Sequence, residues 1–284
     1  MSITFICPLC SSPLEKVGGS LKCSGGKHTY DVASSGYVNL LPPGKKSNAS
    51  TGDEPLMIGS RRDFLAAGYY DRISDTAAEV AAEYAKTREN PSPITSFADA
   101  GCGEGYHTLR IFNKLKEFYP GISAVGFDAS KKGADSGAKK AKRQSADISF
   151  AAANIFAMPI RDRSVDAVFS MFAPVPAEDS ERILKDGGLL VVVSSGSRHL
   201  WQMREVLYGE PRLSPPYDKV PKGFSPVLSR SLLYTVTLSG NDIKNLFTMT
   251  PFYYRSPKEG KEKLLSLQTL TTEISVEYKV YEKS

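Results

Sequence analysis

Two short stretches hold most of the residues able to do chemistry. The first is Asp99-Ala100-Gly101-Cys102-Gly103-Glu104-Gly105. It follows the apolar run Ile94 to Ala98 and precedes a segment with Leu109, Ile111 and Phe112. Strand, glycine turn and helix in that order make the ligand loop of a doubly wound α/β domain. Glycine lets the backbone turn tightly and approach a bound nucleoside. The spacing is not the G-x-G-x-x-G of a dinucleotide site. Asp128 closes a second apolar run, Ala124 to Phe127. It stands about 20 residues beyond the glycines, where a carboxylate accepts hydrogen bonds from ribose hydroxyls. The second stretch is Cys7-Pro8-Leu9-Cys10 followed by Cys23 and His28. Three sulfurs and an imidazole on two turns make a tetrahedral Zn2+ set. Three of the four cysteines fall within the first 23 residues, and the fourth, Cys102, reads as a small packing residue of the glycine loop. A zinc set beside a nucleotide fold implies reduced thiols and a cytoplasmic protein.

The elements that must position these residues can be read along the chain. Ile148 to Asn154, Ser164 to Ser170 and Leu184 to Val193 are near-continuous apolar runs. Such strands belong to a parallel sheet covered by helices on both faces. Glu273 to Tyr281 alternates and reads as a strand with one buried face, paired with Ser231 to Leu238 as an antiparallel edge. Residues 57–88 carry Phe64, Leu65, Ile73, Ala77, Val80 and Ala81 at roughly helical spacing, and Asn90-Pro91-Ser92-Pro93 ends them. The expected division is a zinc-binding module over 1–43, a linker and helical segment over 44–93, and an α/β domain over 94–284. The linker is marked by Pro42-Pro43-Gly44 through Asp53-Glu54-Pro55. A length of 284 residues accommodates one large domain and one small module. The start has no basic region followed by a long apolar run, and no apolar stretch approaches membrane-spanning length. A signal peptide and a membrane partner are therefore not expected.

Charge is mildly basic, +5 with a pI near 8.8. It is concentrated at Lys131, Lys132, Lys139, Lys140, Lys142 and Arg143, with Lys45, Lys46, Arg61 and Arg62 flanking the exit from the zinc module. Such a run is a phosphate-contacting patch or a solvated helix face.

The loop D-x-G-C-G-x-G resembles motif I of S-adenosylmethionine methyltransferases. The resemblance implies that Asp99, Gly101, Gly103, Gly105, Tyr106, His107, Asp128 and Asn154 bind S-adenosylmethionine, with Asn154 facing the adenine amino group. Asp186 stands where relatives usually carry proline. Nearly the whole chain resembles the bacterial 23S rRNA (guanine-N1)-methyltransferases of the RlmA type. The carriers are the zinc set, Gly36-Tyr37-Val38-Asn39-Leu40-Leu41-Pro42, the run Arg61 to Tyr70, Asp99 to Tyr106, Arg198-His199-Leu200 and Met249-Thr250-Pro251-Phe252. That resemblance implies a Rossmann-like domain with a mostly parallel seven-stranded sheet and a small N-terminal zinc-ribbon-like module. It also implies a homodimer acting on a guanine in a hairpin loop of 23S rRNA. The other reading is a methyltransferase for another RNA or for a small molecule.

On the substrate side, Phe172 ends the fourth strand where this fold presents the acceptor, either to stack on a guanine or to pack in the core. Arg198 and His199 follow the fifth strand at the ligand-binding edge of the sheet. A lone histidine on a helix, such as His107, is more often on the surface, and a lone Trp201 beside Leu200 is more often core. No residue can be named from sequence as acceptor of the guanine N1 proton.

Overall fold

The computed structural model describes residues 3–42 and 55–284. Lys45, Lys46 and most of the expected linker lie outside them. The first three strands, β1 (Leu14–Val17), β2 (Ser20–Cys23) and β3 (Thr29–Asp31), form a small antiparallel sheet. The chain then gives β4 (Val38–Asn39), α1 (Pro55–Ala66) and α2 (Asp71–Thr87). The alternating core follows: β5 (Ser96–Ala100), α3 (Tyr106–Phe118), β6 (Ser123–Asp128), α4 (Lys131–Arg143), β7 (Ile148–Ala152), β8 (Val165–Met171), α5 (Ala177–Ile183) and β9 (Leu184–Ser195). The last part comprises α6 (Trp201–Tyr208), β10 (Phe224–Ser239), α7 (Asn241–Thr248), α8 (Phe252–Arg255), α9 (Lys258–Leu265) and β11 (Thr269–Lys283).

The large sheet runs β10-β11-β9-β8-β5-β6-β7-β4. Every neighbour pair from β9 to β4 is parallel, and β11 is antiparallel to both β9 and β10. The chain order reverses between β5 and β8, which opens a crevice at the carboxyl ends of those strands. This is the expected doubly wound sheet with one addition. Val38 and Asn39 pair with Ala151 and Ala152 as an eighth strand. Two residues between a zinc turn and a proline are too short to show the alternation or apolar run that marks a strand. The antiparallel edge has the expected partners, with Ser231 opposite Glu277 and Leu238 opposite Leu270.

The expected helical segment is two helices. Gly68, at φ +82°, takes a left-handed turn between α1 and α2 that an L side chain resists. One face of the sheet is covered by α2, α3, α6 and α7 through a core that includes Phe64, Ile73, Phe97, Phe112 and Phe247. The opposite core contains Cys7, Leu14 and Cys23 together with Phe127, Val168 and Ile183. The small module therefore covers part of the sheet face that a helix would otherwise occupy. Phe5 bridges to Ile160, and the Ile6 amide donates to the Pro159 carbonyl at 2.8 Å. No described helix is long and apolar enough to cross a membrane.

Candidate active site and metal centre

The glycine loop sits over the crevice, and its three expected glycines do different work. All are in the left-handed region, with φ of +89°, +52° and +74° for Gly101, Gly103 and Gly105. A Cβ on Gly101 would stand 2.7 Å from the Ala173 Cβ, so this glycine lets the loop after β8 close in. A Cβ on Gly105 would stand 2.8 Å from the Phe150 ring and 2.9 Å from the Gly137 Cα, which makes Gly105 a packing glycine between α3 and α4. A Cβ on Gly103 would meet nothing within 4 Å. Its bare backbone faces the cavity and provides the cradle a nucleoside cofactor needs.

Asp128 stands at the end of β6 as expected. Its Oδ2 accepts the Gly103 amide at 2.9 Å and its Oδ1 accepts the Ser130 amide at 2.7 Å. The carboxylate thus braces the loop while lining the cavity. Asp99 lies deeper and is fully buried. Thr108 donates to its Oδ2 at 2.5 Å, and its Oδ1 has no partner among the described residues. Burial pushes its pKa up to about 7. Asp99 ties the first turn of α3 to β5 beneath the loop. Cys102 is buried beside it with its thiol pushed up by burial, as a packing residue should be.

The cavity has a volume of about 730 Å³, within the range of small-molecule sites. Tyr106 and His107 both line it. The Tyr106 hydroxyl donates to Asp71 Oδ1 at 2.5 Å. His107 is not on the helix surface. Its Nδ1 meets Ser74 Oγ at 2.8 Å, and burial lowers its pKa to about 4, so the ring is neutral at pH 7. Packing of α2 across α3 half-buries this position, which a single-helix reading cannot see. Asn154 is placed elsewhere. It faces a second cavity, and its Oδ1 accepts the Phe156 amide at 3.1 Å to cap the short 3-10 turn Ile155–Ala157.

Phe172 occupies the cavity wall at the end of β8 with φ +53° and 40% of its surface exposed. A bulky residue held in this backbone region costs about 1–3 kcal/mol and persists only where its surroundings enforce it. The enforcing groups are three rings. Those of Tyr70, His107 and His199 lie 6.3, 6.0 and 6.2 Å from that of Phe172. Tyr70, from the turn before α2, was not singled out by the sequence. Arg198 is turned away from this cluster. It makes a two-pronged pair with Glu273 at 2.9 and 2.8 Å and stacks on Trp201, its guanidinium 4.4 Å from the ring centre. Trp201 is not a core residue. It is half-exposed between Arg198 and Arg204, and its Nε1 donates to Glu205 at 2.6 Å.

The metal-ligating set comes together as the spacing requires. One ligand atom from each of Cys7, Cys10, Cys23 and His28 lies within 4.8 Å of all the others. Tetrahedral zinc with bonds of about 2.3 Å to sulfur asks for ligand separations of roughly 3.7 Å. The His28 Nδ1 stands 3.4 Å from the Cys7 sulfur and 3.8 Å from that of Cys23. Hydrogen bonds from Ser12 lower the Cys10 thiol to about 6, toward the thiolate that binds metal. The donor set fits zinc and leaves no open position, so its role is structural.

The basic run on α4 is divided. Lys139 pairs with Asp135 at 2.6 Å, Lys140 with Glu104 at 3.3 Å in the cavity wall, and Lys142 donates to the Ser34 carbonyl at 2.9 Å. Lys131, Lys132 and Arg143 are exposed. Arg61 and Arg62 line the cavity from α1.

Comparison with known proteins agrees with this geometry. The zinc-ribbon family described as RlmA, N-terminal, matches residues 5–48, and the methyltransferase-domain family matches residues 97–188. A Bacillus subtilis (strain 168) protein named "Putative 23S rRNA (guanine-N(1)-)-methyltransferase YxjB" is 32% identical over 282 residues, covering 96% of this chain and 95% of its own. The 23S rRNA (guanine(748)-N(1))-methyltransferase of Streptomyces fradiae is 28% identical over 274 residues, covering 92% of this chain and 90% of its own.

Proposed function

We propose that this chain, which belongs to the family of 23S rRNA (guanine-N1)-methyltransferases, transfers a methyl group from S-adenosylmethionine to N1 of a guanine in a hairpin loop of 23S rRNA. The carrying observation is Phe172, a strained and exposed ring beside the glycine-loop cavity. A base drawn out of an RNA loop is held by stacking on such a ring. The sulfonium supplies an already activated methyl group, so positioning provides much of the rate. The Gly103 backbone cradles the cofactor and Asp128 takes its ribose. Phe172 holds the acceptor face-on, with Arg61 and Arg62 of α1 in the wall of the same cavity. Zinc holds the N-terminal module closed against the sheet. We further propose that residues 1–43 act as the zinc module and residues 94–284 as the catalytic domain. The protein works in the cytoplasm as a homodimer.

Mass spectrometry of 23S rRNA from cells with and without the gene tests the reaction. Loss of one N1-methylguanine from a hairpin supports it, and unchanged rRNA refutes it. Tritium transfer to small acceptors separates the small-molecule reading. Phe172→Ala is expected to raise the KM for a hairpin RNA by about 5- to 150-fold, since stacking of one base is worth roughly 1–3 kcal/mol. Affinity for S-adenosylhomocysteine should hold. An unchanged KM removes Phe172 from the acceptor site.

The exposed basic residues give a further expectation. Replacing Lys131, Lys132 and Arg143 with Gln should flatten the salt dependence of RNA binding by about 2 to 3 in log–log slope, as three lost phosphate contacts require. Filter binding across a salt series measures it, and an unchanged slope assigns these side chains to solvent. Lys140 and Lys142 are left in place because they hold the cavity wall and the zinc module.

A further inference from the structure

The N1 of guanine carries a proton that must leave as the methyl group arrives, and the geometry points to Tyr70 as its acceptor, with His199 behind it as the relay. The inference rests on the reaction proposed above. The His199 Nδ1 stands 2.9 Å from the Ser275 carbonyl, which also accepts the Gly196 amide, and the Ser275 amide donates toward the same Nδ1 at a longer 3.3 Å. A carbonyl oxygen only accepts and an amide only donates, so the two contacts compete for Nδ1, and the shorter one is assigned the ring proton, on Nδ1. The Nε2 then has a lone pair, and the Tyr70 hydroxyl, 3.2 Å away, donates its single proton to it. The Tyr70 oxygen is left with lone pairs only. Tyr70 and His199 both line the cavity and both touch Phe172. A guanine stacked there meets an obligate acceptor, which suits its N1–H donor edge.

The carboxylates of the same cavity are engaged on the cofactor side. Asp128 holds two backbone amides, and Glu104 pairs with Lys140. His107 has its Nδ1 on Ser74. In the step, N1 gains the methyl carbon and loses its proton to the Tyr70 oxygen, while the Tyr70 proton passes to His199 Nε2. The electron pair of the broken carbon–sulfur bond stays on sulfur. One positive charge is lost at sulfur and one is gained at the imidazole, so the net charge of the pocket does not change. The imidazolium then releases its proton to solvent. Burial keeps His199 at about 4 and raises the Tyr70 phenol above its ordinary range, so both are neutral before the step. The charged and titratable groups around the pair are Arg204, whose guanidinium opposes a charge on His199, Arg61 near His107, the Arg198–Glu273 pair, and Tyr234 beside Tyr70.

The test is single-turnover methylation of a 23S hairpin RNA from about pH 6 to pH 9, with the wild type, Tyr70→Phe and His199→Gln. Tyr70→Phe keeps the ring against Phe64 and Phe172 and removes only the hydroxyl. The wild-type rate should be flat. Both variants should be slower by about 10²-fold at neutral pH, and their rates should climb tenfold per pH unit as guanine N1 ionises unaided. Affinity for S-adenosylhomocysteine should remain within a factor of about 3, which reports an intact cofactor site. A deficit that does not shrink with rising pH, or no deficit at all, overturns the relay and leaves the reaction standing. If the wild type forms no N1-methylguanine, the proposed reaction falls and the relay with it.

Discussion

Gly103→Arg is expected to abolish binding of S-adenosylhomocysteine, with an affinity loss of at least about 100-fold by calorimetry. The backbone of Gly103 faces open cavity with no atom within 4 Å of a Cβ, so the side chain has room to fold into. That room is where the cofactor is proposed to sit. The residue also sits at φ +52°, so an L side chain strains the loop. Asp128→Ala should cost about 10- to 100-fold, because one charge-assisted hydrogen bond is worth roughly 1.5–3 kcal/mol. It also releases the Gly103 and Ser130 amides that hold the loop in place. Unchanged affinity in both variants would move the cofactor away from this cavity.

Cys7→Ser should release zinc and lower the thermal midpoint by about 10 °C, as a loss of a few kcal/mol does in a chain of this size. Cys7 is wholly buried, and it and Cys23 belong to the same core as Phe127 and Val168. Losing the metal therefore uncovers part of the large sheet as well as the small module. Elemental analysis and calorimetry read the two effects. Zinc-free wild-type protein with an unaltered midpoint would show that the four ligands close without metal. Methylation of rRNA should fall with zinc content, while cofactor affinity should change by less than about tenfold, since none of the four ligands lines the glycine-loop cavity.

The sequence was most telling where local chemistry is decisive. Cys7, Cys10, Cys23 and His28 were legible because a metal constrains residue type and spacing together. Gly101 and Gly103 were legible as turn residues because a left-handed backbone excludes most side chains. Strands β5 to β9 stood out because double burial makes them continuous apolar runs. It was weakest where a residue's role depends on what crosses it. His107 carries no sign of α2, which half-covers it. Trp201 carries no sign of the two arginines that hold it half-exposed. Tyr70 reads as one aromatic in a Gly-Tyr-Tyr run until the fold sets it beside His199.

The amino-acid sequence by itself determined the Cys/His metal set, the glycine loop, the acid at the end of β6 and the sheet that carries them. Each depends on short-range spacing or on burial of a whole segment. Tertiary structure alone decided that the zinc module shares a core with the large sheet and that Val38–Asn39 extends it. It also decided that Arg198 turns outward to Glu273 while His199, the next residue, turns inward to Tyr70. Neighbours along the chain diverge there because α6 follows a left-handed Leu200, and the partners that capture each side chain lie more than seventy residues away.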